Sequence, residues 1–111
     1  MTIEEVQKKI DNWIKKYGVR YFSELTNMAL LIEEVGELSR HIARTYGEQN
    51  YKKEVNSKEP IKDEIGDIFF VLTCLCNQMD IDIKECILNS LDKKTKRDSD
   101  RHKKNKKLTN K

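Results

Sequence analysis

Two phrases thirty residues apart, Glu34-Val35-Gly36-Glu37 and Glu64-Ile65-Gly66-Asp67, constrain this chain more than any other feature. Each sets two carboxylates three residues apart, and each follows a further acid, Glu33 or Asp63. On a helix, residues i and i+3 share a face about one turn apart, so each phrase projects an acidic pair from one side of one helix. Apolar residues stand directly beside these acids. If the two helices pack together, Glu34, Glu37, Glu64 and Asp67 converge into one cluster of oxygen donors. Four close carboxylates repel one another, and protonation or a bound hard cation relieves the repulsion. Gly36 and Gly66 sit in equivalent places. Each costs about 1 kcal/mol relative to Ala inside a helix. Their pairing predicts that the helices cross near the acids, where a missing side chain admits a neighbouring backbone or a ligand.

The rest of the 111-residue chain reads as one small all-α domain. One Pro and four Gly are too few for the turns of an all-β fold. A first helix is predicted from Ile3 to Tyr17, opened by a Thr2/Glu5 capping box and closed by Gly18, with the stripe Ile3, Val6, Ile10, Trp13, Ile14, Tyr17. A second runs from after Ser23 to Tyr46, with Gly47 as its stop and Leu31, Ile32, Val35, Leu38 and Ile42 as its buried face. Residues 48–58 read as an exposed loop. Ser57 is the expected N-cap of a third helix with Pro60 in its first turn. That helix, from Ile61 to Met79, is apolar around much of its girth, which predicts burial on two sides and self-association as a homodimer or homotetramer. A fourth helix starts near Ile83, and the chain is expected to divide into a helical domain, 1–100, and a frayed basic tail, 101–111.

Charge sharpens that division. From Lys93 onward there are ten basic residues and two acids, a local charge of +8, while the preceding part carries −5. A basic tail on an acidic body suits phosphate-rich ligands, although a solvated terminus explains it as well. No apolar run reaches a membrane span of roughly 18 residues, and the acidic N-terminus is unlike a signal peptide, so a cytoplasmic protein without membrane partners is expected. Cys74, Cys76 and Cys86 lack zinc-site spacing and read as buried free thiols.

Four clustered acids can hold magnesium (Mg²⁺), with Mn²⁺ as a substitute, and orient a polyphosphate, while Glu33 or Asp63 serves as general base toward water. No glycine-rich phosphate loop, nucleophile elbow or His-Glu-x-x-His pair is present.

The order Glu33-Glu34-x-x-Glu37, then 26 residues, then Glu64-x-x-Asp67 resembles the signature of the MazG-like all-α nucleoside triphosphate pyrophosphohydrolases. The resemblance extends over Met28–Leu38 and Asp63–Leu72, and more loosely over residues 3 to 102. It implies a four-helix bundle-like fold and cleavage of the α–β bond of a nucleoside triphosphate. It also implies Glu34, Glu37, Glu64 and Asp67 as metal ligands, Glu33 as the acid that orients water or a further metal, and Lys93 and Arg97 as phosphate contacts. This chain departs from the family's pattern at Lys94, where an aromatic is common, and at His102, where a tryptophan often stands. The base contact must then come from elsewhere. Phe70, one turn past Asp67, is the best placed, whereas Trp13 reads as core. His41 and His102 read as surface groups, His41 being the one placed to line the pocket, four residues past Glu37. The competing reading is a non-catalytic helical interaction module whose basic tail binds nucleic acid. It expects acids scattered over outer faces, not repeated beside an apolar stripe, so nucleic acid is not the expected partner.

Overall fold

A computed structural model describes residues 1–52 and 57–109. The chain divides into two compact units, Met1–Ile81 and Asp82–Lys111, and no strand occurs among the described residues. No described helix is long and apolar enough to cross a membrane.

In the first unit, α1 spans Ile3–Trp13. The capping box forms as expected: Thr2 Oγ1 accepts the Glu5 N–H at 3.1 Å, and Glu5 Oε1 accepts the Thr2 N–H at 3.4 Å. The helix does not stay α-helical to Tyr17. After Trp13 it widens into a π-helical turn, Ile14–Gly18, which carries the chain off the α register that the apolar stripe presumes. Ile14 is therefore buried while Tyr17 is exposed. The reversal that follows rests on Val19, not on Gly18. Val19 has φ 70° and ψ −57°, and the Arg20 N–H donates to the Gly18 carbonyl at 2.8 Å. This is a γ-turn of the strained, non-inverse kind, centred on a β-branched residue. Tyr21 anchors it from the far side by donating its hydroxyl to Asp11 Oδ1, while Lys15 Nζ holds Asp11 Oδ2 at 2.8 Å. The Lys15 ammonium first, and the Tyr21 hydroxyl second, hold the Asp11 carboxyl below its usual range. Burial, and then the bond to Asp11, push the Tyr21 phenol up.

Helix α2 spans Glu24–Tyr46, its Ser23 cap accepting the Thr26 N–H at 3.2 Å. Gly47 ends it where no side chain fits, because an added Cβ would lie 2.6 Å from the Ala43 carbonyl oxygen. Helix α3 spans Glu59–Gln78 with Pro60 in its first turn. Its N-cap is Lys58, one residue past the expected Ser57, although Ser57 Oγ still accepts the Glu59 N–H at 3.3 Å. Helix α3 packs against both α1 and α2. A polar clamp fixes these contacts. The buried Asn27 donates to Gln78 Oε1 at 2.8 Å, Gln78 donates to the Phe22 carbonyl at 2.8 Å and to Glu24 at 2.9 Å, and Asn77 donates to the Gln7 carbonyl at 3.0 Å.

Burial departs from the sequence reading in instructive places. The core of this unit is Ile14, Ile61, Cys74, Leu75 and Cys76. Ile32, Val35 and Ile42 of α2, expected inside, are exposed, because α3 covers a different side of α2. Cys74 and Cys76 are buried free thiols, but Cys86 is exposed. Burial, and then the Asp11 charge, push the Cys74 thiol up to about 11, which makes it a poor thiolate ligand.

In the second unit, α4 spans Ile83–Lys103, capped by Asp82, whose Oδ1 accepts the Lys84 N–H at 3.0 Å. It continues past Asp100, where fraying was expected, and a short α5 follows at Lys106–Thr109. Arg97 binds the buried Asp98 through two bonds of 2.9 and 2.8 Å, and Arg101 reaches the same carboxylate at 3.1 Å.

The γ-turn yields a stability prediction. Removing the side chain at Val19 relieves strain of ~1–3 kcal/mol against a glycine entropy cost of ~0.5–1 kcal/mol. Val19→Gly should therefore raise the unfolding free energy by about 1 kcal/mol in urea denaturation; a loss of stability would show that the turn is unstrained.

Candidate metal centre

The contact between α2 and α3 carries the two acidic phrases to one place. Single ligand oxygens of Glu34, Glu64 and Asp67 lie within 4.8 Å of one another, and so do ligand atoms of Glu37, His41 and Glu64. Glu64 belongs to both groups, so it links all four acids. Both phrases deliver i,i+3 pairs because each lies in unbroken α-helix.

The glycines do not act as expected. A Cβ built on Gly36 or Gly66 meets nothing within 4 Å. Each follows the first acid of its phrase by two residues, a rotation of about 200° around the helix, so it faces away from that acid. The close approach of α2 and α3 does not run through them.

Electrostatics mark the cluster as under charge stress. The Glu34 carboxyl is pushed up to about 7, first by its hydrogen bond with Glu64, then by burial and by the charges of Glu64 and Asp67. Glu64 Oε2 is shielded from solvent and has no hydrogen-bond partner. A buried carboxylate oxygen needs a donor or a cation, and the neighbouring acids supply a donor only by keeping a proton. This donor set, rich in carboxylate oxygen and short of positive charge, fits a hard divalent cation. Arg40 pairs with Glu37 at the rim, an exposed i,i+3 contact.

The other candidate residues fall in several places. Glu33 is exposed and belongs to neither group, yet it lies one turn before Glu37 on the same face of α2. Asp63 is likewise exposed and outside both groups. His41, expected at the surface, is half-buried beside Glu37 and Glu64. Its i,i+4 relation to Glu37 was the signal in the sequence. Phe70 is half-buried and stands edge-on to Trp13, ring centres 5.6 Å apart. Trp13 is 48% exposed instead of packed in the core. Together with Tyr21, Phe22, Leu30 and Val71 they line an apolar cavity of about 290 Å³. Lys93 and Arg97 lie on α4 in the second unit, Lys93 exposed and Arg97 engaged with Asp98.

Known proteins resemble this chain in sequence and in fold. Residues 22–102 match the MazG nucleotide pyrophosphohydrolase domain. The chain is 40% identical over 100 residues to the uncharacterized protein YpjD of Bacillus subtilis (strain 168), covering 90% of this chain and 89% of that protein. The crystal structure of B. subtilis YpjD superposes with a TM-score of 0.76 at 38% identity, over 88% of this chain and 97% of that one. That of the Bacillus-conserved MazG protein, a nucleotide pyrophosphohydrolase, does so with a TM-score of 0.74 at 35% identity, over 90% and 96%.

The raised Glu34 carboxyl sets a pH dependence. Its value moves from 4.5 to about 7 on folding, so the folded state holds the proton more tightly. The resulting stabilisation is complete below pH 4.5 and is lost as pH rises through about 7. In metal-free denaturant titrations, Glu34→Gln should gain stability relative to the parent chain across that window, and saturating Mg²⁺ should stabilise the parent above pH 7. A parent–variant difference that does not change with pH would contradict the shared proton.

Proposed function

Because the chain belongs to the MazG nucleotide pyrophosphohydrolase family, we propose that it is a Mg²⁺-dependent nucleoside triphosphate pyrophosphohydrolase, cleaving the α–β phosphoanhydride to a nucleoside monophosphate and pyrophosphate. The observation that supports this most is the meeting of Glu34, Glu64 and Asp67, with Glu37 joined through Glu64, across α2 and α3. These four carboxylates would hold the cation. When bound, Mg²⁺ supplies positive charge against the phosphate oxygens.

The chain's own groups do the rest. Glu33, exposed one turn before Glu37, takes the proton of the attacking water. Phe70 and Trp13 offer aromatic edges and faces to the base at the mouth of the apolar cavity. Lys93 and Arg97 contribute positive charge to the phosphates, and Arg97 is kept in a fixed orientation by Asp98. The substrate is drawn from the soluble nucleotide pool of the cytoplasm.

The enzyme works as a homodimer or homotetramer. Leu25, Met28, Ile32, Val35, Ile42 and Tyr46 repeat at heptad spacing along α2, and all are exposed, as are Ile65 and Phe69 of α3. An apolar seam of this length, interrupted at Ser39, matches a second helical seam, and the same seam on a second copy of the chain supplies it.

Two outcomes follow. With a panel of nucleoside triphosphates, the chain should release pyrophosphate only when a divalent cation is present, and Glu64→Gln should lower kcat by about 100-fold or more while leaving the helices folded by circular dichroism. Parent-like turnover in Glu64→Gln, or orthophosphate as the product, would refute the assignment. Sedimentation equilibrium should give a multiple of the 13.1 kDa chain mass, and Ile32→Lys should shift it toward monomer. A parent protein that sediments as monomer at micromolar concentration excludes the assembly.

A further inference from the structure

The cluster does not consist of carboxylates alone. Glu37, His41 and Glu64 bring ligand atoms within 4.8 Å of one another, a group distinct in chemistry from Glu34, Glu64 and Asp67. An imidazole in a cation site changes which cation the site prefers. Mg²⁺ takes oxygen donors, whereas first-row transition cations accept ring nitrogen readily.

The surroundings of His41 prepare its ring for that role. The Tyr51 hydroxyl oxygen lies 2.7 Å from His41 Nδ1 and 3.3 Å from the His41 carbonyl oxygen. A tyrosine hydroxyl has one proton to donate and lone pairs to accept. If that proton goes to the carbonyl, Nδ1–H donates to the Tyr51 oxygen, and the lone pair of the ring is left on Nε2. Metal-bound histidines are held in this way, the second nitrogen donating to an oxygen that fixes tautomer and ring orientation. Tyr51 is itself positioned, its ring 5.5 Å from the imidazole and the Arg44 guanidinium 5.9 Å above it. Thr45 Oγ1 reaches the same hydroxyl at 3.4 Å. Arg40 occupies Glu37 Oε2, which leaves Glu37 Oε1 for a cation. The shielded, unpartnered Oε2 of Glu64, the acid common to both groups, calls for a positive centre within the cluster.

We propose that Glu37, His41 and Glu64, with Tyr51 as the positioning residue of His41, form a second cation position that selects a divalent transition cation of the Mn²⁺ type over Mg²⁺. This rests on the reading of the acids as a cation site and adds to it a nitrogen ligand and a preference. Glu64, common to both groups, is then shared between the two positions.

Mn²⁺ serves as probe because it is paramagnetic and its coupling to nitrogen is read directly. Pulsed electron paramagnetic resonance of Mn²⁺ bound to the full chain should show ¹⁴N modulation from a directly bound imidazole. That modulation should vanish in His41→Gln, which still binds Mn²⁺ through Glu34, Glu64 and Asp67, and should persist in His102→Gln. Competition titrations should show the preference for Mn²⁺ over Mg²⁺ falling about 10-fold in Tyr51→Phe. Mn²⁺ that binds the parent chain without nitrogen modulation, or modulation that survives in His41→Gln, overturns this proposal and leaves the cation reading standing. Failure of the parent chain to bind either cation overturns both. Should His41→Gln not fold, the parent spectrum alone decides.

Discussion

Like charges facing one another across the contact of α2 with α3 are the constraint on which the rest of this protein turns. Two full charges about 5 Å apart repel by roughly 3 kcal/mol at an effective dielectric near 20. A small domain has only about 5–15 kcal/mol of stability to offset such repulsion. The cluster reduces it without a cation by keeping a proton, which is why Glu34 is pushed up to about 7 in its hydrogen bond with Glu64. Packing elsewhere must hold the helices together meanwhile. The Asn27–Gln78–Phe22 clamp and the buried run Thr73–Cys76 do so at the opposite end of α3 from the acids. A carboxylate cluster held by distant packing is preorganised for a cation, because little rearrangement accompanies binding.

The apolar cavity depends on the same helix. Phe70 follows Asp67 by one turn, so the wall of the cavity and the acidic site are fixed to one rigid element. Across from it, Trp13 ends α1 directly before the π-helical turn, and Tyr21 follows the γ-turn at Val19, where a β-branched residue takes a positive φ. Strain beside a candidate site suits a wall that must keep a set shape. On the outer side, the heptad row of α2 leaves the first unit with apolar surface that water does not favour, which is the ground for the proposed association of copies.

What was legible in the sequence was local. The capping box at Thr2, the caps at Ser23 and Gly47, the extents of α2 and α3 and the convergence of the acidic phrases all follow from spacings of three or four residues, and the structure places them as that spacing requires. The family resemblance read from Glu33-Glu34-x-x-Glu37 and Glu64-x-x-Asp67 agrees with the matched domain at residues 22–102. The departures depend on tertiary contacts. Tyr21 reaches back to Asp11 across the π-helical turn, and Trp13, the last residue of α1, is exposed. The side of α2 that meets α3 was not decidable, because α2 is apolar on more than one face, so Ile32 and Val35 were wrongly expected inside. His41 was placed to line the pocket by its spacing from Glu37 but read as a surface group, because its partner, Tyr51, lies in a polar segment without periodicity. Gly18 drew attention as a helix stop, although the positive φ falls on Val19.

Whether Glu34 of α2 and Glu64 of α3 serve one site is tested most directly by a double-mutant cycle on cation binding, read by calorimetry and independent of any substrate. If one shared site exists, Glu34→Gln and Glu64→Gln each remove most of the Mg²⁺ affinity, and the double variant loses much less than the sum of the two single losses. Losses that simply add, or an affinity unchanged in either single variant, would mean that the acids act separately and that the two helices do not build a common metal centre.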